Sequence, residues 1–251
     1  MEVKFDQHFL NNQEILNKII NNSKITNEDI IYEIGIGEGI LTNAILSKNP
    51  KHLISIEKDL KLLEKIQKIT AKHKNFTFEI ADGIEKFDEY KFNKLIANIP
   101  YSITEPLYKK IIEKKIPFCI ILQGKKFFDI CQNKNSKWYY YINSLYNLEL
   151  IETVNGKNFN PPTKVTSVIV KLEIKKNLTK ENKLILKLFE KKDRNFKNAI
   201  IFTLVEELNI TKKQSKEIFE KLNMNLTEKF ENISNEKFCD LIKKLKSYLN
   251  E

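Results

Sequence analysis

The feature that most constrains the fold is a regular alternation of short apolar runs with amphipathic stretches over about the first 175 residues. Seven apolar runs have the length and β-branched character of strands: residues 29–35, 52–57, 76–81, 94–99, 118–122, 148–154 and 167–174. Strands that alternate with helices are typical of a parallel sheet covered by helices. One intervening stretch sets Leu60, Leu63, Ile66 and Ile69 at helical spacing, which predicts a core-facing helix. The pattern therefore predicts an α/β fold built on a seven-stranded, Rossmann-like sheet.

The alternation ends near residue 175, and residues 180–250 have helical periodicity only. Thr211 and Gln214 have the spacing of a capping box, and Ser234 is placed to begin a later helix. We therefore predict two domains: residues 1–175 around the sheet, and residues 176–251 as a small all-helical domain.

The charge balance favours a polyanionic partner. The 251 residues include 43 basic and 33 acidic side chains, which give a formal net charge of +10. An excess of this size is typical of proteins that bind nucleic acid. Arg194 is the one arginine, so phosphate contacts would depend on lysines acting as flexible point charges. Because Asn, Ile and Lys are abundant throughout, nucleotide bias in the coding genome accounts for part of this charge.

The cysteines and histidines predict neither zinc binding nor redox chemistry. The three cysteines are odd in number and form no C-x-x-C pair, which fits a reducing cytosol. The three histidines have no metal-binding spacing. The N-terminus has no apolar signal region, and the longest apolar run, residues 116–122, is too short to cross a membrane. We expect a soluble cytoplasmic protein that binds no metal.

A glycine run follows the first predicted strand. Gly35, Gly37 and Gly39 lie between that strand and a predicted helix, where missing side chains let backbone amides approach a ligand. Taken alone, the run fits a tight strand-to-helix turn as readily as a ligand site. The surrounding sequence favours a ligand site, because an acidic residue lies at or just after the end of each of the next two predicted strands.

Glu57 ends the second predicted strand, and Asp82 follows the third. Either acid alone would be an ordinary solvated carboxylate. Ligands of open parallel sheets bind beyond the carboxyl ends of the strands, where Glu57 could accept hydrogen bonds from ribose hydroxyls and Asp82 could address adenine. The chain has neither G-x-G-x-x-G nor G-K-[ST], so the ligand lacks an obvious phosphate. An adenosine with an amino-acid tail, S-adenosylmethionine, fits this set of residues.

The fourth predicted strand ends abruptly in the sequence NIPY. The Asn98 side-chain oxygen and the Ile99 carbonyl can accept both hydrogens of an exocyclic base amine and so direct the nitrogen lone pair. Pro100 makes the turn rigid, and Tyr101 offers a face for base stacking. The alternative is a β-turn without function. We predict that Asn98, Ile99 and Tyr101 belong to a methyl-transfer site.

These motifs together resemble the ribosomal RNA adenine dimethyltransferases of the KsgA type, including archaeal members. The resemblance covers nearly the whole chain and rests on these stretches: FDQHFLNN, EIGIGEG, IEKD, ADG, NIPYSITEPL, FNPPTKVTSVIVKLE and EKKDRNFKNAI. It implies dimethylation of two adjacent adenines near the 3′ end of small-subunit ribosomal RNA, within a precursor. We expect a monomer, because no unexplained apolar stripe stands out in the sequence. The helical domain would then grip ribosomal RNA by shape and phosphate charge.

The resemblance also implies residue roles. It assigns His8 and Leu10 to the methionyl end of the donor, and Phe159 to the second face of the flipped adenine, opposite Tyr101. It places Gly35 in the glycine turn, with Gly37 beside it in the same motif, Glu57 at the ribose, Asp82 at the donor adenine and Asn98 at the junction with the substrate.

One segment departs from the family pattern. After the fifth predicted strand, relatives carry a basic loop with two arginines, whereas this chain has QGKKFFDICQNKNSKWYYY with Lys125, Lys126 and Lys137 as partial substitutes. The aromatic run at 138–141 is more typical of core packing than of RNA stacking. Two alternatives stay open: a large-subunit ribosomal RNA adenine methyltransferase of the antibiotic-resistance type, and a noncatalytic RNA-binding assembly or transcription factor. The absence of N-P-P-Y or D-P-P-Y argues against a glutamine or DNA-amine methyltransferase.

Overall fold

The computed structural model describes residues 8–224 and 228–249, so Phe5, Asp6 and Gln7 of the N-terminal motif lie outside the described residues. The chain divides into two compact units. The sheet unit comprises Met1–Phe128 and Asn147–Ile174, and the helical unit comprises Asp129–Tyr146 and Lys175–Glu251.

The described residues form nine strands and ten α-helices. The strands are β1 Phe9–Leu10, β2 Ile30–Ile34, β3 His52–Glu57, β4 Phe76–Ile80, β5 Lys94–Asn98, β6 Phe118–Gly124, β7 Tyr146–Val154, β8 Phe159–Asn160 and β9 Ser167–Ile174. The helices are α1 Gln13–Asn22, α2 Ile40–Leu46, α3 Leu63–Thr70, α4 Thr104–Lys114, α5 Lys125–Gln132, α6 Lys137–Leu145, α7 Lys180–Glu190, α8 Phe196–Leu208, α9 Lys212–Lys221 and α10 Asn235–Leu249.

Seven of the strands form one sheet in the order β4-β3-β2-β5-β6-β9-β7. The pairs β2–β3, β3–β4, β2–β5 and β5–β6 are parallel, and β9 runs antiparallel to β6. Every residue of β6 is buried, as expected for a central strand with both faces covered. All seven predicted strands occur in this sheet, so the predicted seven-stranded α/β fold is confirmed.

The parallel strands place their carboxyl ends along one edge of the sheet. Gly35 follows β2, Glu57 ends β3, Ala81 follows β4 and Asn98 ends β5. Open α/β sheets bind ligands at this edge, so the topology brings together the motifs that the sequence leaves far apart.

A second, two-stranded sheet joins the N-terminal segment to residues near position 160. Leu10 on β1 pairs with Phe159 on β8, and Phe9 pairs with Asn160. The backbone N–H of Asn11 extends the pairing by donating to the Asn158 carbonyl at 2.8 Å. This pairing joins Phe9 and Leu10 of the N-terminal motif to the first two residues of the F-N-P-P motif.

The helix predicted from Leu60 begins three residues later. Asp59 caps a 3₁₀ turn at Leu60–Leu62, and α3 starts at Leu63. Ile66 and Ile69 are buried as predicted, but Leu60 is 64% exposed. The core prediction for Leu60 is therefore wrong, because the tighter turn rotates that side chain away from the stripe formed by Ile66 and Ile69.

In the helical unit, aromatic rings make much of the core. Tyr141 stacks on Phe189 with ring centroids 4.0 Å apart, and Tyr140 packs edge-on against Phe238. The core interpretation of the aromatic run is confirmed for these two tyrosines. Their contacts explain why residues 129–146 group with the helical unit, whereas the sequence assigned them to the first domain. The domain division at residue 175 stays a prediction.

The helix caps predicted in the helical unit are present. Thr211 and Gln214 form a reciprocal capping box at the start of α9. The Ser234 hydroxyl accepts the backbone N–H of Lys237 at 3.3 Å in the first turn of α10.

The sheet unit contains a carboxyl group that is fully buried, that of Glu33. Glu33 on β2 is fully buried, and its Oε2 accepts hydrogen bonds from the Thr42 hydroxyl at 2.9 Å and the Ser55 hydroxyl at 2.6 Å. Burial raises the pKa of Glu33 to about 7, although the two hydroxyl donors oppose the rise. The folded protein therefore binds a proton at Glu33 more tightly than the unfolded chain does.

We predict that Glu33 makes stability fall with rising pH. Since the pKa of Glu33 is 4.5 in an unfolded chain and about 7 in the fold, only the folded state keeps the proton between these values. Relative to E33Q, the wild-type free energy of unfolding should drop by roughly 3 kcal/mol across this window and level off above it. Urea unfolding at several pH values measures this difference.

The matched control is E28Q, because the Glu28 side chain is exposed. Its difference from wild type should stay constant over the same pH range. A constant difference for E33Q as well would contradict the prediction.

Candidate active site

All the residues that the sequence assigned to a site line one cavity in the sheet unit. They are His8, Leu10, Gly35, Gly37, Glu57, Asp82, Asn98, Ile99, Tyr101 and Phe159. The cavity lies at the carboxyl edge of the sheet because the loops after β2, β3, β4 and β5 all contribute to it.

The glycine turn begins at the end of β2. Gly35 has φ +82° and Gly37 has φ +54°, in the left-handed region that favours glycine. The Gly35 N–H donates to the Ile56 carbonyl at 2.9 Å, which fastens the turn to β3. A Cβ on Gly37 would lie 2.8 Å from the Phe9 ring, so the N-terminal segment packs directly on this turn. Any larger residue at position 37 would displace Phe9.

Glu57 connects the glycine turn to the end of β3. Its Oε2 accepts the Gly37 N–H at 2.9 Å, and its Oε1 accepts the Asp59 N–H at 2.8 Å. The residue is 4% exposed, so the carboxylate is held in place rather than solvated. Each carboxylate oxygen can accept a further hydrogen bond. Two hydroxyl donors of a ligand could therefore bind Glu57.

Asp82 lies across the same edge, after β4. Its Oδ1 accepts the Ile84 N–H at 2.8 Å, and its Oδ2 accepts from the Lys58 ammonium at 2.9 Å. Burial by itself would raise the pKa of Asp82, but the hydrogen bonds from Lys58 and from the Ile84 and Glu85 amides outweigh it and lower the pKa. Asp82 is thus a fixed anionic acceptor at the cavity wall.

Asn98 is the last residue of β5, and Ile99 directly follows it. The Ile99 N–H donates to the Leu122 carbonyl on β6 at 3.1 Å, which keeps this residue in the sheet up to the proline. A Cβ on Gly35 would lie 3.5 Å from the Asn98 carbonyl oxygen, so the glycine turn and the end of β5 are neighbours. The Asn98 side-chain oxygen and the Ile99 carbonyl are two acceptors of the kind that a primary amine needs.

Aromatic side chains also line the cavity. Tyr101 occupies a 3₁₀ turn, and its ring lies near the His8 ring, with centroids 6.5 Å apart and planes inclined by 24°. The His8 Nδ1–H donates to the Pro161 carbonyl at 2.8 Å. Phe159 lines the cavity but is only 4% exposed.

Two features of the site were missed by the sequence reasoning. The β1–β8 pairing gives no sequence signal, because two-residue strands have no measurable periodicity. The Lys58–Asp82 ion pair could have been suspected, since Lys58 directly follows Glu57 in IEKD and both acids were already in view.

The described residues hold no group of three or more His, Cys, Asp or Glu side chains that could bind a metal ion. In the same part of the chain, no helix has the length and apolar character needed to cross a membrane.

Comparison with known proteins agrees with the geometry. The family model described as ribosomal RNA adenine dimethylase matches residues 1–247. A ribosomal RNA small subunit methyltransferase A from Fusobacterium nucleatum is 34% identical, over 96% of each chain. The crystal structure of a dimethyladenosine transferase from Plasmodium falciparum is 26% identical, with a TM-score of 0.66 over 96% of this chain and 98% of that one.

The 23S rRNA methyltransferase ErmE has a TM-score of 0.62 over 95% of this chain and 99% of that one. At 17% identity it shows a shared fold and no more. The match of the family model to nearly the whole sequence, together with the relative of similar length, shows that the chain belongs to the ribosomal RNA adenine dimethylase family.

Proposed function

We propose that this protein uses S-adenosylmethionine to dimethylate the exocyclic amines of two adjacent adenines near the 3′ end of small-subunit ribosomal RNA, in a ribosomal precursor. The observation that carries the proposal is the position of Asn98 and Ile99. Their two acceptors lie at the same cavity edge as the glycine turn, Glu57 and Asp82. A methyl donor and an amine could therefore meet there.

The residues of the cavity fit S-adenosylmethionine. Lys58 is the one lysine or arginine among the described residues that line it, and Lys58 is paired with Asp82, so the cavity suits a ligand without phosphate. Glu57 would hold the ribose hydroxyls and Asp82 the adenine, while Gly35, Gly37, His8 and Leu10 would surround the methionyl end. When bound, this cofactor supplies an activated methyl group on a sulfonium.

The chain's own contribution to the chemistry is to orient the amine. An adenine amine is a poor nucleophile because its lone pair is delocalised into the ring. If the Asn98 side-chain oxygen and the Ile99 carbonyl accept both hydrogens, the nitrogen becomes pyramidal and its lone pair points to one side. Ile99 is held by β6, so this acceptor is in place before substrate binds. No strong base is required.

The same arrangement allows a second transfer. A monomethylated amine keeps one hydrogen, which one of the two acceptors can still bind. Tyr101 offers one face for the adenine, and extruding that base from its stack costs a few kcal/mol, which stacking can offset. Phe159 is the second aromatic wall in the proposal, and its burial makes it a fixed one.

We propose that a single copy is the active form, because the described residues of one chain already bring together all the side chains assigned to the donor, the amine and the target base. We further propose a cytoplasmic location, because a substrate within a ribosomal precursor would be met where ribosomes assemble.

The proposal is tested by incubating the protein and radiolabelled S-adenosylmethionine with unmethylated small subunits or with large-subunit precursors. Nuclease digestion and mass spectrometry then locate the label. We expect dimethyladenosine at the 3′ end of small-subunit RNA. Label only in large-subunit RNA would show that the substrate is large-subunit RNA. Binding of donor and RNA without any label would indicate a noncatalytic assembly factor.

Replacing Asn98 should abolish methyl transfer without abolishing donor binding. The N98A variant loses one of the two amine acceptors, and losses of a single preorganised hydrogen-bonding group at a transition state are on the order of a hundredfold or more in kcat. Single-turnover methylation measures the rate, and calorimetry measures donor affinity. The matched control is N17A, because Asn17 is exposed on α1 and does not line the cavity. An unchanged rate in N98A would remove Asn98 from the mechanism.

Replacing Glu57 should weaken donor binding first. Hydrogen bonds to a charged group contribute about 1.5–3 kcal/mol, so E57A should raise the donor Kd by about ten- to a hundredfold. Calorimetry with S-adenosylhomocysteine measures this Kd. The control E64A removes an exposed carboxylate from α3 outside the cavity and should bind normally. Equal affinities of E57A and wild type would exclude the ribose assignment.

RNA binding should depend steeply on salt. Phosphate contacts made by lysines release counterions, and neutralising about six phosphates would weaken binding about a thousandfold between roughly 50 and 200 mM salt. The exposed Lys213 and Lys216 on α9 are suited to such contacts. Replacing both by Gln should lower the slope of log K against log[salt] by about two. A flat salt response would contradict phosphate-dominated recognition.

A further inference from the structure

The hydroxyl group of Tyr101 has a buried partner that the proposed chemistry does not use. It lies 2.9 Å from the Oγ of Ser167, the first residue of β9. Ser167 is fully buried, so its hydroxyl is a fixed anchor rather than a group shared with solvent.

The body of the Tyr101 ring lies against a second neighbour. Gly124, at the end of β6, is the register partner of Ser167 on β9. A Cβ at Gly124 would lie 3.0 Å from Cδ1 and 3.4 Å from Cγ of the Tyr101 ring. The 3.0 Å distance is tighter than nine in ten real Cβ contacts, so a side chain at position 124 would require the Tyr101 ring to move by a few tenths of an ångström.

The backbone of Tyr101 is fixed as well. Its carbonyl accepts the Thr104 hydroxyl at 2.9 Å, and the Ile99 N–H two residues earlier is bonded to β6. With the backbone fixed, the direction of the ring depends on its two side-chain torsions. Ser167 contacts the hydroxyl end of the ring, and the missing side chain at Gly124 leaves room for the end that carries Cγ and Cδ1.

We propose that Ser167 and Gly124 are positioning residues that set the plane of the Tyr101 ring, and thereby the plane in which the target base stacks. The second half of this statement rests on the proposed function, whereas the first half concerns the protein alone. The β6–β9 pair therefore serves as the platform for the aromatic face. It places that face relative to Asn98, which ends the neighbouring strand β5, and to Ile99, which follows it.

The ring position is tested without any activity assay. In protein labelled with 3-fluorotyrosine, the ¹⁹F resonance of Tyr101 is identified by its loss in Y101F. We expect this resonance to shift or broaden in both S167A and G124A. The matched control is T166A, because Thr166 is adjacent but exposed, and its resonance should match wild type. An unchanged Tyr101 resonance in S167A and G124A would overturn the proposal.

The consequence for the reaction is tested by a double-mutant cycle. A neutral hydrogen bond contributes about 1 kcal/mol, so S167A and Y101F should each lower kcat/KM for unmethylated small subunits by about fivefold. Because both remove the same bond, the double variant should be no worse than either single variant. Donor affinity should stay at the wild-type value in all three. A further loss caused by S167A in the Y101F background would show that Ser167 acts through another group, which would overturn its positioning role.

The two experiments separate this inference from the proposed function. If the Tyr101 resonance moves but the wild-type protein methylates no ribosomal RNA, the ring platform stands and the proposed function is wrong. If the wild type methylates RNA but the resonance does not move, the proposed function stands and the platform is wrong.

Discussion

The carboxylate of Glu57 is the interaction on which the site depends. It accepts one backbone N–H from the glycine turn and one from the loop after its own strand, and so joins the ends of β2 and β3. Without it, the part-buried N–H of Gly37 would lose its partner in a turn with positive φ. The same turn contacts the end of β5 and the ring of Phe9, so one side chain fixes three walls of the cavity.

The remaining walls depend on pairing between distant segments. The β1–β8 ribbon pairs Leu10 with Phe159, and His8 beside it donates to the Pro161 carbonyl. The β6–β9 pair supports Tyr101. The lining is thus assembled from loops on a rigid sheet, an arrangement that lets binding residues vary while the scaffold stays ordered. Burying a carboxyl group next to this edge costs free energy when the group is charged. Burial accordingly raises the pKa of Glu33 to about 7.

Most of the sheet could be predicted because its strands are continuous apolar runs bounded by turn residues. Glu57, Asp82 and Asn98 were found from the rule that ligands bind beyond the carboxyl ends of parallel strands, and the structure brings them to one cavity. His8, Leu10 and Phe159 came from resemblance alone, because Leu10 and Phe159 lie in strands of only two residues and His8 precedes one of them. Leu60 was misplaced because helical spacing does not reveal where a 3₁₀ turn replaces the first turn of a helix. Residues 129–146 were assigned to the sheet domain because their aromatic partners lie beyond position 180 in the chain.

The central claim is that the end of β5 receives the substrate amine beside the donor. The most direct measurement is a crystal structure of the protein with S-adenosylhomocysteine and an RNA hairpin that carries the two adjacent adenines. The account predicts that the N6 atom of one extruded adenine lies within hydrogen-bond distance, about 3 Å, of both the Asn98 side-chain oxygen and the Ile99 carbonyl. An adenine bound in the cavity with its amine directed away from both oxygens would contradict it.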